Sequence, residues 1–270
     1  MLLGLYKRHI DPQYQPQLTQ LIAALHRRGI ETIDLSEGPI AAPIDFLLSI
    51  GGDGTLLSSV HLIGNSGIPV IGVNFGHLGF LTTVGRGAAE QFVDDLLAGR
   101  FSIEERTLLH VDTFPSAIPV SFSLNEVCFH RPMEVSMLRA NLFVDDEFVA
   151  TYVGDGLIVA TPTGSTAYSL SCGGPLLTPT SGCFVITPIG AHTLTLRPMI
   201  VPDSAHIRVE LAQQQTNFCL DLDSSSFTMD AGTQVNLTRE NFKLRLVRME
   251  NQSFFTAMQE KLSWGVQHNK

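Results

Sequence analysis

Where an apolar run gives way to a helical one, Ile50-Gly51-Gly52-Asp53-Gly54-Thr55 sets a single carboxylate among three glycines. Glycine lets a backbone approach a ligand closely, and a strand, a glycine-rich turn and a helix together offer amide N–H groups to phosphate. A carboxylate among such amides repels an anion unless it holds a metal or takes a proton from an attacking hydroxyl. Asp53 can equally be read as a helix cap in an ordinary turn. Leu56-Leu57 follows Thr55 directly and no Gly-x-x-x-x-Gly-Lys occurs, so the lysine of P-loop proteins is missing.

Three further segments could serve the same chemistry. Asn74-Phe75-Gly76-His77-Leu78-Gly79-Phe80 follows an apolar run ending at Val73 and belongs to the same sheet edge as Asp53. Phe80 could stack on a planar base, Phe75 reads as a core anchor, and His77 as either a solvated loop residue or a phosphate contact. Asn125-Glu126 interrupts an apolar strand over 121–130, putting an amide and a carboxylate on opposite faces or at a bulge. An amide suits an adenine edge and a carboxylate suits ribose hydroxyls, although the two could also form a structural hydrogen-bonded pair. The densest segment runs from Gly154 to Ser171 and holds Asp155, Ser165, Thr166 and Tyr168. Its Thr163-Gly164-Ser165-Thr166 stretch predicts a short helix with exposed N–H groups, while Thr161 and Ser169 fit buried hydroxyls of a capped helix.

The elements that must position these residues fall into two patterns. Strand and helix signals alternate through the first hundred residues, predicting a parallel sheet over 1–102, a Rossmann-like α/β domain. From 103 to 250 short alternating runs predict a mainly antiparallel β-sandwich, with a linker near 99–107. Val144-Asp145-Asp146-Glu147-Phe148 predicts a tight hairpin of open turn type. Over 251–270 Phe254, Phe255, Met258 and Leu262 recur at helical spacing, predicting a tail that packs back on the first domain.

With 270 residues, 44% of them hydrophobic and 16% charged, the chain is long enough for two domains around sizeable cores. The 17 Lys and Arg against 26 Asp and Glu leave a net charge of -9, which argues against a generic nucleic-acid binder but not against a small anionic ligand. Cys128, Cys172, Cys183 and Cys219 lie far apart and read as buried free thiols. No run of 18 apolar residues occurs, and Lys7-Arg8-His9 follows the short apolar start at once. The expectation is therefore a cytoplasmic protein with neither membrane span nor signal peptide.

Taken together, Gly51-Gly52-Asp53-Gly54-Thr55, Leu124-Asn125-Glu126 and Asp155-Gly156 through Thr166-Ala167-Tyr168-Ser169-Leu170-Ser171 resemble, in order, the motifs of bacterial-type ATP-dependent NAD kinases. Gly72-Val73-Asn74, Phe80-Leu81-Thr82, Arg197-Pro198 and Lys261-Leu262-x-Trp264-Gly265 extend the similarity. The glycine-aspartate element alone is shared with diacylglycerol, sphingosine and phosphofructokinase relatives; the other two motifs are more specific. The resemblance implies magnesium-dependent transfer of the γ-phosphoryl group of ATP, or of a polyphosphate, to the 2′-hydroxyl of the adenosine ribose of NAD. It implies Asp53 as proton acceptor, with Gly51, Gly52, Gly54 and Thr55 at the triphosphate. Asn125 and Glu126 are implied at the adenosine part, Asp155 and Ala167 at the nicotinamide end, and Ser165, Thr166, Tyr168, Ser169, Leu170 and Ser171 around the same cleft. Gly190 falls where the family often has alanine, Val153 where many relatives carry a basic or polar residue, and Ser225 replaces a common amide. The resemblance also implies a homodimer or homotetramer. A lipid or sugar kinase sharing only the glycine loop, and a non-catalytic NAD(P)-binding regulator, are the competing readings.

Overall fold

The chain begins with β1 (Leu2–Lys7), α1 (Gln15–Arg27), β2 (Glu31–Asp34), β3 (Phe46–Ile50), α2 (Asp53–Ile63), β4 (Val70–Val73) and α3 (Ala89–Leu97). The computed structural model describes all residues except 9, 41, 77, 78, 86, 135, 212–216, 251 and 266–270. Helix α1 is amphipathic and buries Leu18, Leu21, Ala24 and Leu25. Gly29, at φ 71°, ends it and donates its N–H to the His26 carbonyl at 3.0 Å. The strands are parallel in the order β2-β1-β3-β4, and β3 and β4 read as unbroken apolar runs because both faces of a parallel sheet are covered. Ile50 pairs with Val73, so both glycine-rich loops leave the carboxyl ends of neighbouring strands, where open α/β sheets bind ligands.

The second half is almost all strand: β5 (Phe101–Phe114), β6 (Phe122–Ser123), β7 (Glu126–His130), β8 (Leu138–Val144), β9 (Glu147–Gly154), β10 (Gly156–Ala160), then, after the short helix α4 (Tyr168–Ser171), β11 (Cys183–Ile189), β12 (Met199–Pro202), β13 (Ile207–Leu211), β14 (Asn217–Leu222), β15 (Ser225–Asp230) and β16 (Gln234–Met249). One antiparallel sheet has the order β12-β11-β10-β7-β14-β15; β16, β13, β8 and β9 pair antiparallel in a second. Phe129, Leu157, Phe184 and Phe218 from the first sheet share a buried core with Leu142, Ile207, Val235 and Leu237 from the second, which makes a sandwich. Asp145 and Asp146 both have positive φ, 50° and 65°, the signature of a type I′ hairpin turn.

Two compact units emerge, residues 1–105 with 244–270, and residues 106–243. Both boundaries lie inside long strands, β5 and β16, so the segment expected as a linker near 99–107 is instead the start of a strand. Residues 244–250 follow the first unit because Leu246 pairs in parallel with Val70. Residues 253–265 also belong to the first unit, where α5 (Phe254–Leu262) is capped by Ser253 Oγ and buries Ala257.

Two local expectations are corrected. The run 121–130 is two strands in different sheets, β6 beside β5 and β7 beside β10 and β14, so Asn125-Glu126 marks a corner and not a bulge. All four cysteines are free, but Cys128 alone among them is buried; the others are partly exposed. No described helix is long and apolar enough to cross a membrane.

Candidate functional site

In the first unit the glycine loop hands the chain into α2 with Gly52 at the cap position and no side chain capping the helix. The Gly51 N–H donates to the Val73 carbonyl at 2.8 Å and the Thr55 N–H to the Gly52 carbonyl at 2.9 Å, so the amides that a glycine cap leaves to an anion are those at the very start of α2, Asp53 and Gly54. Asp53 is the first helical residue and faces the second loop. Its Oδ2 accepts the Phe80 N–H at 2.9 Å and its Oδ1 the Leu81 N–H at 3.2 Å. Gly79 has to be glycine: a Cβ there would lie 1.7 Å from Asp53 Oδ1. Thr82 Oγ1 accepts the Gly79 N–H at 2.6 Å, which ties that approach down. Gly51 packs against Thr55, whose Oγ1 would be 2.3 Å from an added Cβ. A cavity of about 230 Å³ opens against Gly51, Gly52 and Thr55, with Tyr14 and Phe75 among its walls. Phe80 stands apart from that wall set; its ring lies 6.3 Å from that of Phe254. His77 lies outside the described residues.

In the second unit the corner at Asn125-Glu126 is built by a residue that sequence reasoning did not single out. Asp223, at φ 50° in the β14–β15 turn, accepts the N–H groups of Leu124, Asn125 and Glu126 at 2.7, 2.8 and 3.1 Å and the Ser123 hydroxyl at 2.5 Å. Three successive amides converging on one carboxylate fix the turn's backbone. Burial pushes the Glu126 carboxyl up to about 8, the Asp223 charge adds to it, and the Tyr168 N–H opposes them. Glu126 Oε2 is buried without a hydrogen-bond partner among the described residues. Asn125 is also buried, with its carbonyl accepting the Thr161 N–H at 2.9 Å.

The segment 161–171 splits between scaffold and surface. Gly164 N–H donates to Thr161 Oγ1 at 3.2 Å and Ser165 N–H to the Thr161 carbonyl at 3.0 Å, so these amides are not the exposed donors the sequence predicts. Gly164 packs directly on Asn125, whose carbonyl oxygen would lie 2.1 Å from an added Cβ. Ser165 is fully buried, donating to the Pro162 carbonyl and accepting the Leu177 N–H, and Ser169 shares a hydrogen bond with Thr187 at 2.9 Å. Thr166 Oγ1 donates to the Thr163 carbonyl at 3.1 Å. Ala167 and Leu170 are partly exposed, and Tyr168 and Ser171 exposed. Tyr168 and Asp155 line a cavity of about 400 Å³ together with Cys128, His130, Arg131 and Asp221. There Arg131 Nε donates to Asp155 Oδ1 at 2.7 Å and His130 pairs with Asp221 at 2.7 Å. Gly190, at φ 53°, brings its backbone against Asp155, whose Oδ2 would be 2.5 Å from an added Cβ. Asp223 and Arg131 carried no sequence signal of their own, because the groups they hold come from other strands or turns.

Comparison with known proteins shows the family. Residues 9–101 match the family described as the ATP-NAD kinase N-terminal domain, and residues 124–249 the one described as the ATP-NAD kinase C-terminal domain. The chain is 43% identical to an NAD kinase of Cytophaga hutchinsonii over 223 residues, covering 82% of this chain and 76% of that one. It is 36% identical to an NAD kinase of Flavobacterium johnsoniae across 98% of each chain. Among solved structures, yeast NADH kinase complexed with NADH superposes with a TM-score of 0.88 at 25% identity, covering 100% of this chain and 89% of that one. An NAD kinase of Archaeoglobus fulgidus in complex with ATP shares the fold at a TM-score of 0.78 and 24% identity, covering 97% of this chain and 99% of that one. With both domain families matched in order and relatives of this identity along most of its length, the chain belongs to the ATP-NAD kinase family.

Proposed function

We infer that the protein is an NAD kinase that transfers the γ-phosphoryl group of ATP to the 2′-hydroxyl of the adenosine ribose of NAD, forming NADP, with Asp53 as the general base. The observation that carries this role is the aim of the Asp53 carboxylate: it opens α2 beside uncapped amides and is steadied by the Phe80 and Leu81 N–H groups. Each of its oxygens takes one of those bonds and retains a lone pair for a substrate proton. A secondary alcohol is a poor nucleophile at neutral pH, so orientation and proton removal together supply the rate. The Gly51, Gly52, Gly54 and Thr55 turn meets the donor phosphates, and the cavity at Gly51, Gly52 and Thr55 supports that assignment.

Asn125 and Glu126 recognise the adenosine part. The unpartnered Glu126 Oε2 supports this, because a buried polar atom without a partner is costly until a ligand supplies one. Kept neutral by burial, the Glu126 carboxyl can donate as well as accept. Asp155, held by Arg131, and Ala167 serve the nicotinamide end, with Tyr168 beside Asp155 in the same cavity. Ser165 and Ser169 serve the site as scaffold, their hydroxyls already bonded to Pro162 and Thr187.

A divalent cation, magnesium, fits as an ion borne by the nucleotide. Among the described residues no three His, Cys, Asp or Glu side chains are placed to cage one, whereas magnesium commonly rides on phosphate oxygens and water. When bound it neutralises charge on the triphosphate; the glycine-loop amides and Asp53 do the positioning and proton transfer. The assembly is proposed to be a homodimer or homotetramer working in the cytoplasm.

Asp53→Asn tests the reading: NADP formation should fall about 10²–10⁴-fold with the fold retained. A variant with wild-type kcat would remove Asp53 from the role of base. ATP and polyphosphate, and NAD and NADH, should be run side by side in that assay. Phosphorylation of labelled diacylglycerol with NAD left untouched would favour the lipid-kinase alternative.

A further inference from the structure

We propose that Lys261, on the C-terminal helix α5, is the cationic partner through which Asp53 is held ready as a base; the inference rests on the reading of Asp53 given above. Lys261 Nζ lies 3.8 Å from Asp53 Oδ2 and 5.2 Å from the centre of the Phe80 ring. The first distance is that of an ion pair without a closed hydrogen bond, and the second is within cation–π reach. Side-chain exposures of 32% for Lys261 and 29% for Asp53 leave the pair only partly screened by water.

The helix is seated to put the ammonium there. Ser253 caps its start, Ala257 is buried, and Phe254 lies against Phe80, the residue whose N–H holds Asp53. Gln252 donates to the Thr83 carbonyl just before the helix begins. Among the described residues, Arg248 beside this loop is already matched: it donates to the Phe80 carbonyl at 2.8 Å and pairs with Glu104 at 3.1 Å. Lys261 is thus the cation that α5 contributes to the carboxylate, while the loop itself contributes amides.

The chemistry needs such a charge. A triphosphate at the glycine-loop amides brings several negative charges beside Asp53, and like charge favours the protonated carboxyl, which cannot act as base. An ammonium at 3.8 Å sets an opposite charge beside the carboxylate. In the transfer, the 2′-hydroxyl proton passes to Asp53 and the 2′-oxygen bonds to the γ-phosphorus. The bond to the β–γ bridging oxygen breaks, and its electron pair leaves with ADP. Lys261 acts on this step through Asp53 and is a positioning residue.

The test is the pH dependence of kcat for the full-length protein with ATP, magnesium and NAD, comparing wild type, Lys261→Met and Lys261→Arg. Lys261→Met should lose roughly tenfold or more in kcat with little change in KM for NAD, and the acidic limb of its profile should move to higher pH. Lys261→Arg should return the limb toward wild type. A native-like Lys261→Met with wild-type kcat and an unmoved limb would overturn the proposal, as would a loss of kcat tracking lost thermal stability alone. If that variant does not fold, Lys261→Gln and Lys261→Ala with added methylammonium carry the same test, rescue of the limb being the expected result. Absence of NADP formation by the wild type itself would overturn the assigned reaction, and this inference with it.

Discussion

At the scale of single residues, side-chain identity says less than the company each side chain keeps. Asp53 is not the cap of α2, since Gly52 holds that position; its two carboxylate bonds go to the loop after β4. Glu126 differs from Asp53 in being enclosed, and its carboxyl is pushed up to about 8 from a starting value of 4.5, chiefly by burial. The folded protein therefore keeps a proton that the unfolded chain releases from about 4.5 upward. Because the native state binds more protons across that interval, stability falls as pH rises from about 4.5 to about 8 and levels off beyond it. Urea denaturation at several pH values should show that slope in the wild type and a flatter one in Glu126→Gln. An unchanged slope would mean that Glu126 ionises normally.

Elements create the positions that residues occupy. The parallel register Ile50 to Val73 brings two glycine loops side by side, and a missing Cβ at Gly79 lets one accept the carboxylate of the other. In the sandwich, the corner between β6 and β7 exists because the chain changes sheets there, and the β14–β15 turn supplies Asp223 to bind its three amides. Removing that carboxylate leaves the amides and the Ser123 hydroxyl without their acceptor. Asp223→Ala should cost about 2–3 kcal/mol of stability. It should also raise KM for NAD more than it lowers kcat, measured by urea denaturation and steady-state kinetics. A variant that lost stability but kept its KM would separate the corner from substrate recognition.

For the whole molecule, a ligand that binds only the folded state must stabilise it. With NAD at 100 times its Kd the unfolding free energy should rise by about 2.7 kcal/mol, visible as an upward shift in Tm. Glu126→Gln together with Asn125→Ala should show much less of that shift at the same NAD concentration; an equal shift would place adenosine recognition elsewhere. The chemistry-bearing strings were legible along the chain because each is local. Glycines around Asp53, the Asn125-Glu126 pair and the 161–171 segment advertise themselves within a few residues, as do the alternating strand and helix periods of the first hundred. What stayed hidden was long-range or hydrogen-bonded. Asp223 is separated from Asn125 by 98 residues, Lys261 reaches Asp53 from the last helix, and β5 and β16 run through segments whose patterns look like boundaries. The hydroxyl of Ser165 reads from sequence as a candidate contact and packing turned it inward, whereas Ser169 is buried as its place in a capped helix suggests. By itself, then, the sequence determined which residues are available for chemistry, since a motif lies in side-chain types at short spacing, and the order of those motifs carried the resemblance that implies the reaction. Only the tertiary structure decided which carboxylate meets the loop amides, which is enclosed and which serves as a clasp, because burial and partners drawn from distant strands set the surroundings of an ionisable group.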